Sequence, residues 1–95
     1  MSEARGVDDS AVVIVRLQEL ANEARIATDQ PALTDPIPST SPLAGYIDSM
    51  AVAVLVAFIE DEWELEFDED EIEPESFASI ASLAQLVEVK RSARA

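Results

Sequence analysis

The fold is decided by the run Gly45-Tyr46-Ile47-Asp48-Ser49-Met50-Ala51-Val52-Ala53-Val54-Leu55-Val56-Ala57-Phe58-Ile59. Asp is a strong helix cap, so Asp48 predicts a helix that begins at about Ser49 and ends at about Trp63. Ser49 then lies in the first turn, where unpaired backbone N–H groups and the positive end of the helix dipole favour a bound or attached phosphate. Residues 50–59 are apolar on every side of this helix. A small domain cannot cover all of that surface, so part of it is predicted to dock a partner.

A helical wheel divides this helix into two faces. The first face is expected to pack in the core and consists of Val52, Leu55, Val56, Ile59 and Trp63. The opposite face is the predicted docking surface and consists of Met50, Ala53, Val54 and Ala57, with Ala51 and Phe58 at its flank. An acidic cluster follows, and it is expected to steer basic partners: Glu60, Asp61, Glu62 and Glu64. The alternatives for the apolar outer face are a homodimer interface or fuller burial in the bundle.

Other helices are predicted on both sides of this one. Asp8, Asp9 or Ser10 can cap a first helix that runs to about Ala27. Its buried stripe is expected to be Val13, Ile14, Leu17, Leu20, Ala21 and Ala24. Ser79 can cap a last helix with a core stripe of Ile80, Leu83, Ala84 and Val87. Because proline suits a first helical turn, a short helix is also placed at about residues 74–77. We predict an all-α bundle of three main helices and one short third helix.

A long ordered loop is predicted between the first two helices, over residues 28–47. It contains prolines that break any helix: Pro31, Pro36, Pro38 and Pro42. Its expected anchors in the core are Leu33, Ile37, Leu43 and Ile47. Neither flank could fold alone, so we expect residues 1–95 to form a single domain with a folded part of about residues 9–89.

Composition argues against several classes of function. The net charge is −14 with 6 basic residues, which argues against nucleic acid and anionic membranes and favours basic protein partners. The chain has no Cys and no His, so it has no thiol chemistry and lacks the commonest general base and the commonest zinc ligands, and we predict neither an enzyme nor a metal site. No signal-peptide pattern is present, and the longest apolar run is far short of the roughly 20 residues that span a bilayer. We expect a soluble cytoplasmic protein.

The chain resembles the acyl and peptidyl carrier protein family in two runs separated by four residues, Pro42-Leu43-Ala44-Gly45-Tyr46-Ile47-Asp48-Ser49-Met50 and Leu55-Val56-Ala57-Phe58-Ile59-Glu60-Asp61-Glu62-Trp63. That family is marked by Asp-Ser-Leu or Asp-Ser-Met at the head of the second helix, followed by an apolar helix that ends in acidic residues and an aromatic residue. A third run, Pro74-Glu75-Ser76-Phe77-Ala78-Ser79-Ile80, is similar to the stretch that leads such proteins into their last helix. The similarity covers about residues 9–89 in the order of elements.

The resemblance implies a specific role for two residues. A phosphopantetheinyl transferase would attach 4′-phosphopantetheine from coenzyme A to the hydroxyl of Ser49, which Asp48 would help to present. The terminal thiol of that arm would carry an acyl or aminoacyl group as a thioester. An activating ligase would load it, and downstream transfer enzymes would receive it. The protein would then be a stand-alone, monomeric carrier that catalyses nothing itself.

The chain departs from the fatty-acid-synthesis members of that family, which place acidic residues on the exposed face of the second helix. Ala51 and Val54 stand at the matching positions here. We therefore expect docking to rely on apolar burial more than on ion pairs, and a carrier of secondary metabolism or amino-acid activation. The predicted docking set is Met50, Ala51, Ala53, Val54, Ala57, Glu60 and Asp61. The rival hypothesis is an unmodified acidic adaptor or inhibitor that docks through the same face, in which Ser49 only begins a helix.

Overall fold

The computed structural model describes the backbone of residues 9–94 and the side chains of residues 11–93. Over that range the chain forms the helices α1 (Asp9–Ala27), α2 (Ser49–Trp63) and α3 (Ile80–Arg94). Single 3₁₀ turns lie at Leu43–Gly45 and Glu69–Glu71, and the described residues contain no strand. The predicted all-α class, the end of α1 and the bounds of α2 are confirmed. Of the predicted caps of α1, Asp9 and Ser10 lie within the helix, and Asp8 lies outside the described residues.

Helix α1 packs against both α2 and α3 and is therefore the central element of the bundle. Its predicted stripe is buried except for Ile14, which is half-buried and packs against the core. The predicted stripe of α3 is also confirmed, because all four of its residues are buried. Helix α3 begins as expected, since the backbone N–H of Ser82 donates to Ser79 Oγ over 3.1 Å. At the α1–α2 contact, Arg16 forms an ion pair with Glu62, with 2.9 Å between Nη2 and Oε1.

The start of helix α2 is fixed by its cap, and its orientation is fixed by one buried stripe. Asp48 Oδ1 accepts the backbone N–H of Ala51 over 2.9 Å, so the predicted cap is confirmed. The helix ends at Trp63, and the next residue, Glu64, adopts a left-handed conformation with φ of 56°. Five residues were expected in the core. Leu55, Val56 and Ile59 are buried, whereas Val52 and Trp63 are half-buried and pack against the edge of the core.

The loop between α1 and α2 is ordered by anchors and by hydrogen bonds. Three of its predicted anchors, Ile37, Leu43 and Ile47, are buried, and Leu33 is half-buried against the core. Side chains of α1 bind the loop backbone: Gln18 donates to the carbonyl of Ile37 over 2.7 Å, and Asn22 accepts the N–H of Leu33 over 2.8 Å. These bonds satisfy backbone groups that a structureless loop would leave to solvent.

The segment between α2 and α3 corrects one prediction. Residues 74–77 form consecutive turns rather than a short helix, with N–H groups of Ser76 and Phe77 both donating to the carbonyl of Glu73 (3.1 and 3.2 Å). The chain turns here because Phe77 enters the core and the carbonyl of Ala78 accepts the N–H of Leu43 over 2.9 Å. The tertiary contacts outweigh the favourable position of proline, and the prediction of a short helix at these residues is wrong. No helix within residues 9–94 is long and apolar enough to cross a membrane.

Candidate functional site

Ser49 is the first residue of α2, and it is exposed. The residue is therefore open to an approaching enzyme rather than enclosed in the bundle. A helix leaves its first N–H groups without intrahelical partners, and the N–H of Ala51 is already bonded to Asp48. The N–H groups of Ser49 and Met50 remain directed at the space in front of the helix, where the dipole favours an anion. A phosphodiester on Ser49 fits this environment.

Asp48 has both carboxylate oxygens engaged. Oδ1 accepts the N–H of Ala51 (2.9 Å), and Oδ2 accepts the side-chain amide of Gln30 (3.1 Å). Its backbone is extended, with φ of −96° and ψ of −176°, as expected for a residue that precedes a helix. Asp48 therefore fixes the start of α2 and the direction in which the chain enters Ser49.

A cluster of side chains on the α1 side holds the same entry segment. Arg25, in the last turn of α1, donates to the carbonyl oxygens of Tyr46 and Pro31 and to Oε1 of Gln30. Gln30 in turn donates to Asp48. This cluster is not predictable from the sequence, because its members come from both ends of a loop whose path the sequence does not specify. The only sequence signal is a basic residue in the last turn of α1, and that feature is common.

The outer face of α2 is exposed close to Ser49. Met50 is 67% exposed, and Ala53 and Ala57 are exposed further along the same face. Val54 and Phe58 are half-buried and pack against the core. An apolar surface thus begins beside the serine and continues along the helix.

Ala51 does not belong to this surface, and its place in the predicted docking set is wrong. Its exposed fraction is 0%, as is that of Leu55 and Ile59. These residues are spaced at i, i+4 and i+8 and form the innermost stripe of α2. The helix is therefore rotated by part of a turn from the predicted wheel, which buries Ala51 and leaves Val52 only half-buried.

The acidic residues at the end of α2 have different surroundings. Asp61 is exposed, whereas Glu60 is half-buried and its Oε2 accepts the N–H of Phe67 over 2.9 Å. Glu62 binds Arg16, and the hydrogen bonds of Arg16 to Glu62 and Glu19 raise the pKa of its guanidinium. Asp61 is thus the more accessible of the two acids in the predicted docking set. Within the described part of the chain, no group of three or more acidic side chains is placed to hold a metal ion.

A groove of about 630 Å³ opens directly beside Ser49. Its walls come from three segments: the end of the long loop, the first turn of α2, and residues 72–78. Most of the lining is apolar, including Leu43, Ile47, Val52, Ile72, Pro74 and Phe77, and Asp48 and Ser49 also border it. The groove was not predicted, because it exists only where these three segments meet. Ile72, an exposed apolar residue among acidic neighbours, was its one sequence signal.

Comparisons with other proteins do not assign the chain to a family. No protein-family model matches it, and no curated protein matches it either.

Proposed function

We propose that the protein is a carrier protein, in which Ser49 accepts 4′-phosphopantetheine from coenzyme A. The observation that carries this proposal is the position of Ser49: it is exposed, it begins a helix capped by Asp48, and it lies between an apolar groove and an apolar outer face. The resemblance of the surrounding sequence to acyl and peptidyl carrier proteins supports the same function.

In this reaction the chain provides a nucleophile and a site that stabilises the negative charge of the product. The Oγ of Ser49 attacks the phosphorus next to the pantetheine arm, and the pyrophosphate bond of coenzyme A breaks. The adenosine bisphosphate portion leaves, and the hydroxyl proton passes to a base of the transferase. The N-terminus of α2 stabilises the negative charge of the resulting phosphodiester. The attached group supplies a thiol that carries an acyl or aminoacyl cargo as a thioester.

The groove and the outer face have separate roles in this proposal. The groove offers the apolar part of a cargo a site next to its attachment point, where apolar burial contributes about 25 cal/mol per Å². The outer face, with Met50, Ala53 and Ala57 exposed, receives the transferase and the enzymes that load and unload the cargo. Because the chain carries a net charge of −14, these enzymes are expected to present basic surfaces.

The exposed apolar face also favours a second candidate, an unmodified acidic adaptor or inhibitor. Met50 at 67% exposure suits docking whether or not Ser49 carries an arm. The two candidates differ in whether Ser49 reacts. In the adaptor, Ser49 is a first-turn residue and nothing more.

The experiment that separates them is intact-mass measurement after incubation with coenzyme A and a broad-specificity phosphopantetheinyl transferase. The carrier function predicts a gain of one phosphopantetheine in the wild type, no gain in Ser49→Ala, and a full gain in Ser92→Ala. Ser92 is a suitable control because it is exposed and lies on α3. No gain in the wild type, under conditions that load a known carrier, would favour the adaptor.

A further inference from the structure

One side chain joins the two ends of the long loop. Arg25 Nε and Nη2 donate to the carbonyl oxygen of Pro31 over 3.1 and 2.9 Å, and Nη1 donates to the carbonyl oxygen of Tyr46. Pro31 lies near the start of the loop, and Tyr46 lies two residues before Asp48. The planar guanidinium has several donors in fixed directions, so it can hold several acceptors at once. It therefore fixes the position of the segment that leads into α2.

A second contact continues from this side chain to the helix cap. Gln30 Oε1 accepts from Arg25 Nη1 over 3.2 Å, and Gln30 Nε2 donates to Asp48 Oδ2 over 3.1 Å. Asp48 Oδ1 then accepts the N–H of Ala51 over 2.9 Å. The contacts run from Arg25 through Gln30 and Asp48 to the first turn of α2. Both carboxylate oxygens of Asp48 are fixed by this chain of hydrogen bonds, which holds its rotamer.

Arg25 and Arg16 both lie on α1, but they bind different kinds of partner. Arg16 forms ion pairs with Glu19, Glu23 and Glu62. Every acceptor that the structure gives to Arg25 is neutral, and in the described part of the chain no carboxylate lies within ion-pair distance of it. The chain has 20 acidic residues, so the absence of a carboxylate partner for Arg25 among the described residues is not due to a shortage of carboxylates. The contacts of Arg25 therefore hold the backbone of the loop in place and do not neutralise a carboxylate.

We propose that Arg25 and Gln30 are positioning residues for the modification of Ser49. They hold the segment before the serine and the rotamer of Asp48, so that the hydroxyl of Ser49 meets the transferase in one orientation. This inference rests on the proposed carrier function. A nucleophile displaced by about 1 Å can lose about 100-fold in rate, so loss of these contacts acts mainly on the chemical step. The outer face of α2 is unchanged by their loss, so binding of the transferase is largely retained.

The decisive variant is Gln30→Glu. A carboxylate at this position keeps an acceptor for Arg25 and gains an ion pair with it, but it replaces the donor to Asp48 with a like charge. If Arg25 and Gln30 only stabilise the fold, Gln30→Glu should be loaded with phosphopantetheine at the wild-type rate. The positioning role predicts a fall in kcat of about tenfold or more, with KM for the carrier within about twofold. Arg25→Ala and Arg25→Lys are both expected to lower kcat as well, since neither an alanine nor a single ammonium group reproduces the fork of donors.

Steady-state kinetics with a broad-specificity phosphopantetheinyl transferase and coenzyme A test the proposal. Arg16→Ala is the matched control: it removes the ion pair between α1 and α2, and it is expected to lower the melting temperature with kcat unchanged. Amide hydrogen exchange of Ala51 in the unmodified protein gives a second readout, and Gln30→Glu should accelerate it. Wild-type kcat and unchanged Ala51 exchange in Gln30→Glu and Arg25→Ala would overturn the positioning role alone. A wild-type protein that is never loaded would instead overturn the carrier function, and this inference with it.

Discussion

Asp48 Oδ1 and the backbone nitrogen of Ala51 lie 2.9 Å apart, and this hydrogen bond fixes where α2 begins. It places Ser49 in the first turn and turns the side chain of Ala51 into the core. The position of Ser49 and the burial of the innermost stripe of α2 therefore depend on the same hydrogen bond. A change at Asp48 is expected to affect both stability and modification.

Replacing this cap should destabilise the protein measurably. Asp48→Ala removes the acceptor for the N–H of Ala51 and should cost about 1 kcal/mol of unfolding free energy. Asp48→Asn keeps an acceptor, because Asn caps helices about as well as Asp, so it should cost much less. Denaturant unfolding followed by circular dichroism measures the difference. Equal stability of Asp48→Ala and the wild type would show that the cap does not hold α2.

The innermost stripe of α2 should be sensitive to truncation. Leu55→Ala and Ile59→Ala each remove a fully buried side chain and should cost about 2–5 kcal/mol. A domain of this size has a total stability of about 5–15 kcal/mol, so either variant removes a measurable share of it. Ala57→Ser, on the exposed face of the same helix, should change the stability by less than about 0.5 kcal/mol. Thermal melting compares the three, and unchanged melting of the two core variants would contradict the burial of this stripe.

The outer face should be needed for partners and dispensable for folding. Ala57→Glu introduces a charge on exposed apolar surface and is expected to raise KM for the transferase severalfold with the melting temperature unchanged. Val89→Glu is the matched control, because it adds the same charge at an exposed apolar residue of α3. Val54 is less suitable for this test, since it is half-buried against the core. If Ala57→Glu and Val89→Glu load equally well, partners do not use this face.

The contact between Glu71 and Lys90 predicts a dependence of stability on pH. Lys90 Nζ lies 2.8 Å from Glu71 Oε1, and its hydrogen bond, with that from the backbone N–H of Asp68, lowers the pKa of Glu71 below its ordinary value of 4.5. A carboxylate with a lowered pKa in the folded state contributes stability above the unfolded value, and that contribution is lost as the pH falls through the folded value.

Glu71→Gln should therefore melt at a lower temperature than the wild type at pH 7, and the difference should disappear as the pH falls well below 4.5. Glu66→Gln, an exposed carboxylate on the same connecting segment, serves as the control for the loss of one negative charge. Melting curves of the three proteins across this pH range provide the measurement. If the difference in melting temperature between Glu71→Gln and the wild type stayed constant with pH, ionised Glu71 would make no contribution to stability.

Much of the fold could be predicted from local signals in the sequence. Asp48 and Ser79 mark helix starts by a short-range hydrogen bond, and the stripes of α1 and α3 follow from helical periodicity alone. The loop anchors could be identified because apolar residues in a polar, proline-rich segment have few alternatives to burial. These features depend on residues close together in sequence, so the sequence contains enough information to locate them.

The features that were missed depend on contacts between distant segments. Helix α2 packs against α1 with Ala51 in its buried stripe, and the turns at residues 74–77 accompany the bond from Leu43 to Ala78. The contacts of Arg25 with Tyr46 and Gln30 require the path of the whole loop. The groove beside Ser49 likewise has no counterpart in any one stretch of sequence. Of the site, the sequence therefore predicted the serine and its cap, but not the surroundings that hold them.

The most direct test of the carrier function is to locate the attached group by peptide fragmentation of the loaded wild-type protein. The carrier function predicts one phosphopantetheine, found on the peptide that contains Ser49 and on the Ser49 side chain itself. A wild-type protein that stays unmodified beside a loaded control carrier, or a group attached at any other serine, would contradict it.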